Sequence, residues 1–419
     1  MGAMTEAERG SAQPLAGKTI LLLGGSDFQV PAIECAKRLG LRTVLCDYLP
    51  DNPGQYVADV FYQKSTTDRE LMLEVARAEN ADGVLSFCSD VALPSAAYVA
   101  EQLGLATNPL SSVEILSKKQ LFHPYLAEHG FACPHLVSFP VGTSPAEVIE
   151  LVKGLEGSIV IKPTDSSGSK GVTRLDKREI QRVSEALDAA AEYSRNGVLV
   201  AEEFIEYEYP HLIGGDIFVK DGRVVFWGLM SCLRDNEVAS LVPVGKAYPA
   251  GLSTEQEQAV HEQLQALVTS LGLRFGEMNI EVIIGRGGKP YILECGGRAG
   301  GNMIPLELTD ISGIDLVEAN VRFAMGDTSM DLVFDGGDRV ISTYVLHSGR
   351  DGVFEGVDFS PQIAPHVYRK MIHAHPGDRV ERLTNGAKAF GQVFLRFDTS
   401  DQMWDMLGHI KDHIRVNVG

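Results

Sequence analysis

Asn279-Ile280-Glu281-Val282-Ile283 and, after a short Gly-rich interval, Tyr291-Ile292-Leu293-Glu294-Cys295-Gly296-Gly297-Arg298 are two mainly apolar runs, each carrying one acid. Their patterning predicts strands over Met278–Ile284 and Pro290–Glu294. Turn residues from Gly285 to Lys289 make the two strands antiparallel neighbours. Glu281 and Glu294 would then face each other on one side of a sheet. Two carboxylates at that range repel unless a cation lies between them. Hard oxygen ligands select Mg²⁺, which keeps several waters and shares phosphate oxygens. The Gly-rich turn Cys295 to Asn302 follows directly and would set Arg298 beside the metal, where a phosphate or developing oxyanion sits.

Upstream, Ile159-Val160-Ile161-Lys162-Pro163 is an apolar strand that delivers a lysine. Asp165-Ser166-Ser167-Gly168-Ser169-Lys170-Gly171 comes next, a loop of small residues whose N–H and hydroxyl groups can approach phosphate oxygens closely. Taken alone, such a loop also reads as a plain turn. Val198–Ala201 then runs into Glu202-Glu203-Phe204-Ile205-Glu206. A strand that leaves the core in this way offers a purine an acceptor, a backbone donor and apolar contact with its faces. The same segment on its own reads as an acidic surface hairpin. Neither a P-loop nor a dinucleotide fingerprint is present, because Ala12 replaces the leading glycine before Gly17-Lys18-Thr19, and Gly24-Gly25-Ser26 lacks the required spacing.

The remaining chain alternates strands and helices at its start. Lys18–Leu23, Arg42–Cys46 and Gly83–Phe87 read as strands, with helices over Val30–Leu39, Arg69–Glu79 and Leu93–Leu103. This rhythm predicts a doubly wound parallel sheet. Lys119–Gly130 and roughly Lys177–Ser194 read as helices. Lys220-Asp221-Gly222 predicts a tight hairpin between Asp216–Val219 and Arg223–Gly228. Leu306–Met325 is helical with an interruption at Gly313. Strands at Val340–Leu346 and Gln392–Phe397 and a helix near Gln402–Ile414 close the chain. Arg234 and Lys246 fall in a loop-like stretch and read as surface cations, with phosphate contact as the alternative. His211 and His347 read as satisfied or exposed histidines.

At 419 residues the chain is long enough for two or three domains. Its 44% hydrophobic and 22% charged residues are the balance of a soluble globular protein. A net charge of -19 argues against a general nucleic-acid binder. The apolar runs are too short and interrupted to span a bilayer. Cys35, Cys46, Cys88, Cys133, Cys232 and Cys295 form no CxxC pair, which fits free thiols in a reducing compartment. Residues 1–16 read as a leader or tag.

In order, these elements resemble the ATP-grasp superfamily. Lys118-Lys119, before a helix that ends Glu128-His129-Gly130-Phe131, resembles the family's Asp-Lys element, with Lys119 at the ATP-phosphate lysine. Lys162 is similar to the second lysine, and Asp165–Gly171 to the loop over the phosphates. Glu202, Glu203, Phe204 and Ile205 resemble the adenine hinge, with Glu202 at the amino-group acceptor, and Glu208 the ribose-binding acid. Glu281 and Glu294 match the magnesium acids. The usual Glu-x-Asn-x-Arg run reads Glu294-Cys295-Gly296-Gly297-Arg298 here, so Gly296 replaces an asparagine that often serves a second ion. Arg298 stands where the family holds the acyl phosphate or its attacking partner.

The resemblance implies an α/β protein of three parts: a doubly wound N-terminal parallel-sheet domain (17–117), an ATP-grasp domain of two α+β subdomains (118–335, lid about 158–205) and a small C-terminal α+β region (336–419). It implies ATP and Mg²⁺, with Mn²⁺ as a substitute, and a cytoplasmic carboxylate–amine ligase acting through an acyl phosphate. The motif order is similar to biotin carboxylase, carbamoyl-phosphate synthase and the L-amino-acid ligases. Small-molecule carboxylates and amines, amino acids among them, are the expected partners, with no nucleic acid or membrane, and a homodimer is expected by resemblance. The phosphate loop is expected to move as a lid. A carboxylating enzyme using bicarbonate, and a nucleotide-binding protein without turnover, are the alternatives.

Overall fold

The computed structural model describes residues 15–166 and 169–419. Thr19–Leu23 is buried along its whole length, because it lies inside a parallel sheet covered on both faces. The strand order is Val60–Gln63, Arg42–Asp47, Thr19–Leu23, Gly83–Leu85. Ile20 and Leu22 point to a core with Ile33 and Ala36, which also takes Val317 and Val321 from far along the chain. Leu21 and Leu23 point the other way, to Met72, Val75 and Val99. Side-chain alternation thus splits one short strand between two helical layers.

A second, four-stranded antiparallel sheet runs Leu136–Pro140, Val198–Glu203, Ile159–Pro163, Thr173–Leu175. Helices Pro145–Leu151 and Val183–Tyr193 cover one face of it through Val148, Val183, Ala186 and Leu187. The helix expected from Lys177 is split. Lys177–Arg182 is a 3₁₀ segment broken at Glu179, and the α-helix begins at Val183.

The third sheet has eight strands in the order Pro290–Gly296, Phe275–Ile284, Leu212–Lys220, Arg223–Asp235, Ala239–Tyr248, Val340–Leu346, Gly391–Phe397, Val367–Ile372. All neighbours in it are antiparallel. Asp221 and Gly222 both have positive φ (52° and 76°), the primed geometry that Asp-Gly favours in a hairpin of this twist. Ile213, Ile217, Ile280 and Val282 face the helix Thr254–Ser270 through Val260, Leu264 and Leu267. Phe218, Phe226 and Met230 face the helices Ile304–Ser312 and Leu316–Ala324.

Arg234 and Lys246 therefore sit in strands of this sheet rather than in a loop. Register shifts on either side of Arg234, opposite Pro243, blur the period that would have marked the pairing. The stretch after 336 does not begin a separate sheet, since Val340–Leu346 pairs with Ala239–Tyr248. Only the small sheet of Arg379–Val380, Gly352–Phe359 and Ile414–Val418 lies outside the eight strands in that stretch. Among the described residues no helix is long and apolar enough to cross a membrane. All six cysteines are free thiols.

Candidate active site

Glu281 and Glu294 are register partners on the first two strands of the eight-stranded sheet. A register irregularity follows Glu281, so the two strands lose their regular pairing next to the acids. Lys119 opens the helix Lys119–Glu128 and places its Nζ 2.7 Å from Glu294 Oε1. Desolvation works to raise the Glu294 carboxyl, but Lys119, then Lys162 and Arg298, outweigh it and hold the group at about 2. Burial likewise works to lower the Lys119 ammonium, and Glu294 more than offsets it. One acid thus draws cations from three separate parts of the chain.

Lys162 and Glu202 come from neighbouring strands of the four-stranded antiparallel sheet and form a buried ion pair. His123 stands behind them, its Nδ1 3.7 Å from Glu202 Oε2 and its Nε2 3.0 Å from the Leu293 carbonyl. Burial depresses the His123 imidazole below its ordinary value, which favours the neutral ring. Glu202 Oε2 and His123 Nδ1 have no hydrogen-bond partner among the described residues. An unused carboxylate oxygen is an acceptor in waiting, because leaving it unmet in the interior is costly.

Arg298 is anchored from the other side. Its Nη2 pairs with Asp90, and its Nη1 donates to the Ala299 carbonyl at 3.1 Å. Although desolvation opposes it, Asp90 keeps the guanidinium firmly charged. Asp90 lies just beyond the carboxyl end of the parallel strand Gly83–Leu85, where open α/β sheets place their ligand crevices. A Cβ at Gly296 would stand 3.0 Å from Asp90 Oδ1 and 3.2 Å from Arg298 Cζ. The glycine at this position therefore leaves room for the Asp90–Arg298 pair.

No protein-family model matches the chain. The formate-dependent phosphoribosylglycinamide formyltransferase of Synechococcus sp. (strain CC9902) is 28% identical over 194 residues, 46% of this chain and 48% of that protein. Carnosine synthase 1 of Homo sapiens is 23% identical over 338 residues, 74% of this chain and 40% of that protein. The chain thus spans about half the length of the curated relatives it matches. The crystal structure of an L-amino acid ligase from Bacillus licheniformis superposes with a TM-score of 0.78 at 20% identity, covering 96% of this chain and 99% of that one. The chain has the ATP-grasp fold. Both the Glu281/Glu294 hairpin and the four-stranded antiparallel sheet bearing Lys162 lie within the superposed part.

Within the ATP-grasp fold the other expected site residues divide. Ser166 is half-buried, while Ser169 Oγ donates to the Leu241 carbonyl at 3.0 Å and so ties the loop to the eight-stranded sheet. Ser167 and Gly168 lie outside the described residues. Ile205 packs against Leu212, Cys232 and Ile283 beside the acid-bearing hairpin. The Phe204 amide donates to the Ser158 carbonyl at 2.9 Å, and its ring lies 3.6 Å from the Arg174 guanidinium carbon.

Two further acids of the expected site have partners within the protein. Strand alternation turns Glu203 away from Glu202, and its carboxylate accepts from the Glu156 amide at 2.8 Å and sits 3.1 Å from His135 Nδ1. Glu208 accepts from the Gly287 and Gly288 amides at 2.5 and 3.3 Å, so it fastens the hairpin turn. The two loop-like cations are corrected. Lys246 is buried with its Nζ 2.7 Å from Cys232 Sγ, and Glu281 helps keep it charged against desolvation. Arg234 is half-buried, with a buried Nη1 that has no hydrogen-bond partner among the described residues. His211 stacks on Trp404, and His347 is satisfied by the Val345 carbonyl and Asp235.

Asp90 and His123 were not foreseen. The position of Asp90 past a parallel strand was a usable signal; a histidine in mid-helix gave none. Among the described residues no three His, Cys, Asp or Glu side chains cluster as a self-sufficient metal cage. Two carboxylates whose remaining ligands are phosphate oxygens and waters are the usual Mg²⁺ arrangement, and the Glu281/Glu294 pair fits it.

Proposed function

We propose that the chain is an ATP-dependent, ADP-forming carbon–nitrogen ligase that activates a carboxylate as an acyl phosphate and passes it to an amine. One observation carries the reading: partnered Glu281 and Glu294, with Lys119 bonded to the second and Lys162 and Arg298 holding its charge. Bound Mg²⁺ would supply charge neutralisation across the phosphates during transfer. Glu281 and Glu294 would hold it. Lys119 and Lys162 would exchange their present acid partners for phosphate oxygens. Ser166 and Ser169, with Ser167 and Gly168, would close over the phosphates, and Ile205 with Phe204 would border the base. Glu202 Oε2 would accept from the purine amino group.

Arg298, kept charged and aimed by Asp90, would bind the developing oxyanion when the amine attacks. Amino acids are the substrates this reading favours, because an L-amino acid ligase shares the fold and carnosine synthase 1 aligns over most of the chain. Six free thiols fit action in the reducing cytoplasm.

The test is an ADP-release screen with Mg²⁺ and ATP over pairs of amino acids, over formate with amines, and over bicarbonate. Release that requires both a carboxylate and an amine is expected. Full turnover on bicarbonate alone would replace the reading with a carboxylating one. Tight ATP binding with no release across the panel would leave a nucleotide-binding protein.

A further inference from the structure

Behind Arg298 lies a second pair of acids. Asp216 and Glu277 are 0% and 2% exposed, and no ion pair among the described residues involves either. They stand on adjacent strands, Leu212–Lys220 and Phe275–Ile284, within hydrogen-bonding range of each other. Asp216 Oδ1 accepts from Asn279 Nδ2 at 2.8 Å, and Oδ2 accepts from the Gly300 amide at 2.7 Å. Glu277 Oε2 accepts from Asn320 Nδ2, while Oε1 meets no donor among the described residues.

An orphaned oxygen beside another carboxylate is what remains when a proton is left out of the count. Ionised carboxyls only accept, whereas a protonated one donates through its O–H. A proton on Glu277 would satisfy the orphan and remove the repulsion together. Burial, followed by Asp216, pushes the Glu277 carboxyl well above its ordinary range, against the pull of Asn320 and Arg298. Arg298 acts on both acids, and Cys88 lies close enough to feel the charge of both as well as of Asp90.

Asp216 matters to the site because of what it holds. A Cβ on Gly300 would lie 2.7 Å from Asp216 Oδ1, so turn and carboxylate are in close contact. The same turn is pinned by the Asn279 amide, which donates to the Arg298 carbonyl at 2.9 Å, and by Cys88 Sγ, which donates to the Gly300 carbonyl at 2.9 Å.

We propose that Glu277 is a positioning residue: it shares a proton with Asp216, fixes that carboxylate on the Gly300 amide, and so aims Arg298. This rests on the ligase reading for the role of Arg298. Glu277→Gln keeps a donor for Asp216 and an acceptor for Asn320 but cannot titrate. Glu277→Ala keeps neither.

ADP release should be measured against pH for the 419-residue chain and both variants, with MgATP affinity alongside. Glu277→Gln should retain most of the rate and lose the alkaline fall that ionisation of Glu277 imposes on the wild type. Glu277→Ala should lower kcat roughly ten- to a hundredfold with the KM for ATP unchanged, the scale of a misplaced catalytic group. Equal losses in both variants, or an alkaline limb that survives in Glu277→Gln, would overturn the proposal while leaving the ligase intact. A wild type that releases no ADP with any carboxylate and amine would overturn the ligase reading first, and the aiming role with it.

Discussion

Lys119 pairs with Glu294 and not with its strand partner Glu281, which enters no ion pair among the described residues. The two acids are thus unequal: Lys119 sits on Glu294 at hydrogen-bond distance, while Glu281 meets Lys246 only at longer range. On the proposed reading either amide substitution would remove a charge that holds the metal while keeping shape. Glu281→Gln and Glu294→Gln should each reduce ADP formation by at least about a hundredfold, the scale of losing one charge-stabilising group. Circular dichroism should remain that of the wild type. Full turnover in both variants would remove the metal site from this hairpin.

Lys162 and Glu202 make a sharper case, since their side chains are only 8% and 4% exposed. Removing one member of such a pair strands a charge in the interior, at a cost of about 3–5 kcal/mol. Lys162→Met should therefore destabilise the fold in urea titrations as well as weaken ATP binding. Combining it with Glu202→Gln should restore most of the stability but not the binding. If the double variant is no more stable than Lys162→Met, the pair is not the source of the loss.

Much of this arrangement was legible because it rests on local pattern. The Glu281/Glu294 register followed from two apolar runs and a Gly-rich turn, and the Asp221-Gly222 hairpin from turn chemistry alone. The helix Thr254–Ser270 escaped notice because its buried stripe is only Val260, Leu264, Leu267 and Val268 on a highly polar helix. Its capping box, Ser253 with Gln256, was the available signal. Strand Ala239–Tyr248 was hidden by Pro243 and Gly245. Contacts between distant segments, such as Asp90 with Arg298 or Asp216 with Gly300, have no local signature. The first arises only when the N-terminal sheet docks on the eight-stranded one, and the second only when the turn after Pro290–Gly296 folds back over Leu212–Lys220.

Glu307 offers a check on the interior that does not depend on any substrate. It is fully buried, accepts from Thr343 Oγ1 at 3.1 Å, and is raised by burial from an ordinary 4.5 to about 8. The folded chain therefore binds this proton more tightly than the unfolded one. The stability it contributes is fully present below about pH 4.5 and is lost as the pH rises through about 8. Glu307→Gln should flatten the decline in melting temperature between about pH 4.5 and 8. An unchanged slope would mean that Glu307 is ionised in the fold.

Asp90 reaches Arg298 across the junction of two sheets, and its effect should be kinetic. Asp90→Asn keeps an oxygen acceptor near the guanidinium but loses the charge that holds it in place. On the proposed reading MgATP would be held by Lys119, Lys162 and the Glu281/Glu294 hairpin, so its binding should be unaffected. The oxyanion step would depend on where Arg298 points, so kcat should fall roughly ten- to a hundredfold. Single-turnover kinetics can separate the two half-reactions, since acyl-phosphate formation should proceed while transfer to the amine slows. If formation and transfer slow together, Asp90 acts on the whole junction rather than on the aim of Arg298.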